Sequence, residues 1–146
     1  MNFDFALIMS KMQCKCGHII SDVVCPCVTE ADVIGDAAYE RFDRDFTRDV
    51  TDFLASVHEG RRNDWLVENF GAIYPNDLPD AEIISDLLTA NFRKYAVSMA
   101  ECEKCGRLWL QRRVGENHYR SFTPDEGGYE SHLAIVGAAN CDPGGT

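Results

Sequence analysis

Two short cysteine pairs stand far apart in this chain, and the second cysteine of each pair is followed by glycine. The first pair lies in CKCGH, with Cys14 and Cys16, and the second lies in CEKCGRLWL, with Cys102 and Cys105. A tetrahedral zinc site needs four thiolate or imidazole ligands. A glycine after the second cysteine lets the backbone turn back and aim its amides at the sulfurs. We therefore predict that these four cysteines hold one structural Zn²⁺.

The long interval between the pairs does not argue against a shared site. Eighty-five residues separate Cys16 from Cys102, but loop-closure entropy grows only with the logarithm of length, by about 0.6 kcal/mol for each doubling. Structural zinc contributes on the order of 10–16 kcal/mol of apparent binding free energy in small peptides. The pairs are thus predicted to be two halves of one split site with an insertion between them.

The other candidate ligands fit this site less well. Cys25 and Cys27 are closely spaced, so ligation and a redox role are both open alternatives for them. Against ligation, no glycine follows the pair and Pro26 stiffens the turn. His18 is either a ligand, a hydrogen-bond donor beside the site or a surface histidine. Cys141 is most simply a free thiol.

The elements that must position the cysteines are strands around each pair and helices between them. Apolar residues at helical spacing predict a long helix that Asp36 caps and Gly60 stops, with Phe42, Phe46, Val50, Phe53, Leu54 and Val57 on one face. RRNDWLVENFG predicts a short helix, and DAEIISDLLTANF predicts another with Ile83, Ile84, Leu87 and Leu88 inside. Extended chain is predicted for four segments rich in β-branched and aromatic residues: HIISDVVCPCVTEADVI, RKYAVSMAE, RLWLQRR and HYRSFTP.

These elements predict an α+β fold: a zinc-ribbon-like β-sheet closed by a site of four cysteines, with an acidic helical insertion between the cysteine pairs. At 146 residues the chain is expected to form a single domain, 1–146. Its parts are an N-terminal extension at 1–11, the ribbon at 12–34 and 92–124, the helical insert at 35–91 and a flexible tail at 137–146.

The negative charge is concentrated in the middle of the chain. Residues 30–89 contain 15 Asp and Glu against 5 Arg, which accounts for the whole net charge of −10. Such a field repels nucleic acid and anionic membranes and favours a basic protein partner, although acidic surfaces also simply keep proteins soluble. A basic strip at 102–121 leaves nucleic-acid binding as an alternative function. This alternative is the weaker one, because four thiolates and Zn²⁺ would add a charge of −2 to the strip.

No catalytic motif accompanies the cysteines. The chain lacks a Gly-rich phosphate loop, Gly-x-Ser-x-Gly and His-Glu-x-x-His, and four cysteines would close the coordination shell of the metal. We therefore predict a protein that is not an enzyme, with a zinc-ribbon regulator or an enzyme of unknown substrate as the alternative. No apolar run approaches the length of a membrane span and no secretory signal is visible, which predicts a cytoplasmic protein.

The flanks MQCKCGHIISD and CEKCGRLWL, with the later TPDE, resemble small bacterial zinc-ribbon proteins found beside polymorphic or contact-dependent toxins. The resemblance implies zinc ligation by the same four cysteines and an immunity protein that blocks a basic surface of its cognate toxin. Cys25 and Cys27 depart from that pattern, and residues 1–11 lie outside it. We expect the partner to contact Asp45, Asp49, Asp52, Glu59, Asp64 and Tyr74, with Trp65 either a second anchor or, more simply, part of the core.

Overall fold

The computed structural model describes residues 11–21 and 27–133. These residues fall into two compact units. We call residues 34–96 the helical unit, and the described parts of 11–33 and 97–133 the β unit.

The helical unit is built from α1 (Asp36–His58), α2 (Arg62–Phe70) and α3 (Asp80–Phe92). Asp36 was expected to cap α1, but Gly35 occupies that position and Asp36 lies in the first turn, where a carboxylate favours the positive end of the helix dipole. Gly60 follows the end of α1 with a φ of 71°, as the helix stop predicted there requires.

The core of the helical unit is the meeting point of the apolar faces of its helices. Six buried side chains form it: Phe53, Trp65, Leu66, Phe70, Ile83 and Leu87. Trp65 is 8% exposed and therefore belongs to the core. The expectation that Leu54 and Leu88 lie on the inner faces is wrong, because each is 44% exposed.

The β unit contains two antiparallel sheets. β1 (Lys11–Gln13) pairs with β2 (Ile19–Ser21) around the first cysteine pair. The larger sheet has the order β3-β4-β5-β6, formed by β3 (Glu30–Val33), β4 (Val97–Glu101), β5 (Leu108–Gln111) and β6 (Tyr119–Phe122). The second cysteine pair lies in the connection from β4 to β5. Strands are thus confirmed in each of the extended segments predicted around the pairs, except that residues 93–95 of RKYAVSMAE form a turn after α3.

The fold is a mixed α+β structure, as predicted, with three helices and two antiparallel sheets in the described part of the chain. None of the described helices combines the length and the apolar character that crossing a membrane requires.

Candidate metal centre

The first cysteine turn, residues 14–18, reverses the chain between β1 and β2. The amide of Cys14 donates to the carbonyl of His18 at 2.8 Å, and the amide of Gly17 donates to the carbonyl of Cys14 at 2.9 Å. Gly17 has a φ of 87°, a backbone conformation that residues other than glycine rarely adopt. The glycine after the second cysteine therefore has the turning role that the sequence predicted.

The second cysteine turn, residues 102–107, repeats this geometry between β4 and β5. The Cys102 amide donates to the Arg107 carbonyl at 2.9 Å, and the Gly106 amide donates to the Cys102 carbonyl at 2.8 Å. Gly106 has a φ of 70°. It also has a close neighbour, because a Cβ built on Gly106 would lie 1.9 Å from the carbonyl oxygen of Gly128.

The two turns bring their four sulfurs together. Cys14 Sγ lies 3.6 Å from Cys105 Sγ, and Cys16 Sγ lies 3.6 Å from Cys102 Sγ. All four sulfurs lie within 4.8 Å of one another. Cys14 and Cys102 are buried, Cys105 is half-buried and Cys16 is exposed. The four cysteines singled out in the sequence therefore form one cluster that could hold a metal ion.

The sulfur spacing matches metal coordination rather than disulfide bonding. A tetrahedral ion with metal–sulfur bonds of about 2.3 Å places its sulfurs about 3.8 Å apart. A disulfide requires about 2.05 Å, which is far shorter than the 3.6 Å observed for the two closest contacts.

Backbone amides surround the sulfurs and affect their protonation. Burial alone would raise the pKa of Cys14, but the Cys16 amide, the nearby Trp109 indole and the neighbouring thiols outweigh it and lower this pKa to about 6. Burial raises the pKa of Cys102 to about 12, despite hydrogen bonds from the amides of Cys105 and Lys104. The cluster therefore shares its negative charge unevenly, and a bound cation would favour the thiolate form of all four.

Trp109 is a residue of this site that sequence reasoning missed. Its indole nitrogen is buried and makes no hydrogen bond with another described residue, although the indole is close enough to Cys14 to lower the pKa of that thiol. A thiolate is a far better acceptor than a thiol, so the orphaned indole N–H fits a metal-bound Cys14. The sequence signal that could have identified it is the tryptophan in CGRLWL, just after the second cysteine turn.

Residues 10–126 match the protein family described as "Domain of unknown function (DUF8617)". The chain belongs to this family. The matched region contains both cysteine turns and the helical unit between them. No curated protein and no solved structure matches the chain.

The other candidate ligands of this DUF8617 member lie outside the four-sulfur cluster or outside the described residues. His18 Nε2 lies 3.4 Å from Glu103 Oε2, so the histidine of the first turn faces a carboxylate of the second. Cys27 Sγ lies 3.2 Å from the Thr29 hydroxyl oxygen. Cys25 and Cys141 fall outside the described residues.

The acidic residues predicted to bind a partner divide into two groups. Asp45 and Asp49 are engaged within the helical unit. Asp45 accepts from the Tyr95 hydroxyl at 2.5 Å, Asp49 accepts from the Asn91 amide at 2.9 Å, and both accept from Arg48. The Tyr95 hydrogen bond, with Arg48 nearby, lowers the pKa of Asp45 below its usual value.

The second group lies on the surface of the helical unit. Asp52, Glu59 and Asp64 are exposed, and Glu59 forms an ion pair with Arg61. Tyr74 is half-buried, because its ring stacks on Phe70 with centroids 4.3 Å apart.

Proposed function

We propose that this protein is a non-catalytic, zinc-stabilised binding protein that acts as an immunity protein against a bacterial toxin. The convergence of four thiols from distant parts of the chain carries the structural half of this proposal. The acidic surface of the helical unit supports the binding half, together with the resemblance of both cysteine flanks to zinc-ribbon immunity proteins.

Zinc is the metal that suits this set of donors. Four cysteine sulfurs in a tetrahedral arrangement favour Zn²⁺ or an iron–sulfur centre over hard cations such as Mg²⁺. Cys14, Cys16, Cys102 and Cys105 would complete the coordination shell, leaving no position for a substrate. Zinc would therefore close the ribbon by joining residues 14–16 to residues 102–105, and its role would be structural.

The partner surface follows from the charge distribution. The excess of acidic residues lies in 30–89, which contains most of the helical unit. Toxins that act on nucleic acids or nucleotides present basic clefts to their anionic substrates. An exposed acidic surface would steer rapid association with such a cleft and compete with the substrate for it.

Charge reversal tests the partner surface. Asp52 and Asp64 are exposed and make no hydrogen bond or ion pair with another described residue, so Asp52→Lys with Asp64→Lys should keep the fold at a cost of about 1 kcal/mol, because Asp64 lies in the first turn of α2. We expect the association rate with the partner recovered from the native host to fall about 3- to 10-fold at low salt. The difference should shrink at high salt as these charges are screened.

The matched control reverses two exposed acids of the β unit, Asp125 and Glu126. Asp125→Lys with Glu126→Lys changes the net charge by the same amount but in the other unit. If both double variants slow association equally, the effect comes from net charge and not from the acidic surface of the helical unit. If neither variant slows association, electrostatic steering is not part of the function.

A further inference from the structure

Ile73 is the most exposed large apolar side chain in the described part of the protein. It is 98% exposed, whereas the other exposed large apolar residues range from 41% to 54%. Single exposed apolar residues are common on protein surfaces. The backbone that presents Ile73 is what sets this residue apart.

Ile73 occupies a tight turn directly after α2. The amide of Tyr74 donates to the carbonyl of Gly71 at 3.2 Å, which makes Ile73 the third residue of a four-residue turn. Gly71 starts the turn with a φ of 98°, and its amide donates to the Val67 carbonyl at 3.0 Å. The turn is therefore anchored to the last turn of α2.

Tyr74 fixes the turn from the far side of Ile73. Its ring stacks on the core residue Phe70 at an interplanar angle of 16°, and its hydroxyl donates to Asp86 of α3 at 2.5 Å. Burial and the neighbouring Asp86 carboxylate raise the pKa of Tyr74, so this hydroxyl stays protonated and remains a donor.

Arg62 holds the rest of the segment between α2 and α3. Its guanidinium donates to the Asn76 carbonyl at 2.7 Å, to the Leu78 carbonyl, and to the Asp80 carboxylate at 2.8 Å. One side chain of α2 thus fixes three points of the segment that leads into α3. The structure holds this segment firmly while leaving the Ile73 side chain in water.

The chain on both sides of Ile73 is acidic in sequence. Residues 61–86 contain six Asp and Glu against two Arg, and both arginines are already ion-paired, with Glu59 and Asp80. A fixed, exposed apolar residue within an acidic stretch of chain complements a basic surface that contains an apolar cavity.

We propose that Ile73 is the apolar anchor of the partner interface and inserts into an apolar cavity within a basic protein surface. This inference rests on the proposed function and adds the contact that determines affinity. A turn that is already ordered loses little conformational entropy on binding. Burying Ile73 would then contribute about a 10- to 100-fold gain in affinity, the amount expected for a fully buried aliphatic side chain.

The experiment starts from cross-linking in the native host with p-benzoylphenylalanine in place of Ala72, which is exposed and adjacent to Ile73, so the proposed anchor itself stays in place. The matched control position is Leu88, an apolar residue of the same unit that is less than half as exposed. We expect position 72 to capture one basic protein that position 88 does not. That protein is then purified, and its affinity is measured for the unmodified chain and for Ile73→Ser, Ile73→Val and Leu88→Ser.

We expect Ile73→Ser to weaken binding about 10- to 100-fold, mainly through faster dissociation, while Ile73→Val and Leu88→Ser stay within about 3-fold. The melting temperature of Ile73→Ser should match that of the unmodified chain, because the side chain makes no packing contact to lose. Salt-sensitive binding that Ile73→Ser does not weaken would refute the anchor and leave the proposed function standing. Absence of any basic cross-linked partner would overturn both.

Discussion

Alanine substitution at two equivalent glycines separates backbone strain from steric contact in the cysteine turns. Gly17 and Gly106 each follow the second cysteine of a turn, with φ values of 87° and 70°. A Cβ at Gly17 would have no atom within 4 Å, whereas a Cβ at Gly106 would lie 1.9 Å from Gly128 O and 2.6 Å from Gly128 C. The two variants therefore share the strain but not the clash.

The difference in destabilisation can be estimated from these distances. An alanine in the left-handed region costs about 1–2 kcal/mol, and this applies at both positions. An ordinary contact between carbon and a carbonyl oxygen is about 3.3 Å or more, so the Gly128 carbonyl must retreat by about 1.4 Å from its 1.9 Å position. Forced overpacking of this kind costs a further 1–3 kcal/mol or so. We expect about 1–2 kcal/mol for Gly17→Ala and about 2–5 kcal/mol for Gly106→Ala.

The assay is denaturant unfolding of the zinc-loaded protein, followed by tryptophan fluorescence in a Trp65→Phe background. Trp109 packs against the buried cluster that contains Cys14 and Cys102, and it is then the remaining tryptophan, so it reports on the cysteine cluster. Gly106→Ala should lower the free energy of unfolding by at least about 1 kcal/mol more than Gly17→Ala. Equal losses would refute the reasoning, because they would show that the Gly128 backbone moves aside without cost.

Two further predictions concern the metal and pH. Native mass spectrometry should find one zinc per chain that chelation removes; Cys102→Ser should lose it and Cys27→Ser should keep it, and the reverse pattern would contradict the ligand assignment. Tyr95→Phe removes the main cause of the lowered pKa of Asp45, whose ordinary value is 3.8. Because the folded-state pKa of Asp45 lies below the ordinary value, the ionised carboxylate stabilises the folded protein at pH values above 3.8. This stabilisation is lost as the pH falls through the lowered pKa. The difference in free energy of unfolding between Tyr95→Phe and the unmodified chain should therefore be constant from pH 5 to 8 and become smaller in acid. An unchanged difference at pH 2 would show that it does not arise from the Asp45 carboxylate.

The parts of the structure that the sequence predicted depend on local spacing. The glycine after each cysteine pair predicts a turn, and Gly17 and Gly106 both have the positive φ that such a turn uses. The helical periodicity located α1, α2 and α3, and it placed Phe53 and Ile83 inside. These features are set by residues within about one helical turn of each other, so one stretch of sequence contains the information.

The two misplaced leucines show the limit of periodicity. Leu54 and Leu88 each directly follow a buried residue, Phe53 and Leu87. Adjacent residues on a helix point about 100° apart, so a narrow contact face can bury one and leave the other outside. Which neighbour faces the core depends on where the other helices pack, and the sequence of one helix does not specify that.

Contacts between distant residues account for the other differences. Asp45 and Asp49 looked like surface charges because Arg48 is their one partner nearby in sequence, yet they also bind Tyr95 and Asn91, which lie 50 and 42 residues later. Trp109 likewise acts on Cys14 from 95 positions away. Side-chain partners at such separations are determined by the tertiary fold, so the roles of these residues could not be read from spacing.

The engagement of Asp45 and Asp49 changes where a partner would bind. A carboxylate that already accepts hydrogen bonds within its own unit has less to gain from a new cation, because it must first give up those bonds. Asp52 and Asp64 carry no such cost in the described structure. Together with the fixed turn around Ile73, they move the proposed interface from the middle of α1 to the end of α1, α2 and residues 71–79. Binding that depended on Asp45 and Asp49 but not on Asp52, Asp64 or Ile73 would show that this placement is wrong.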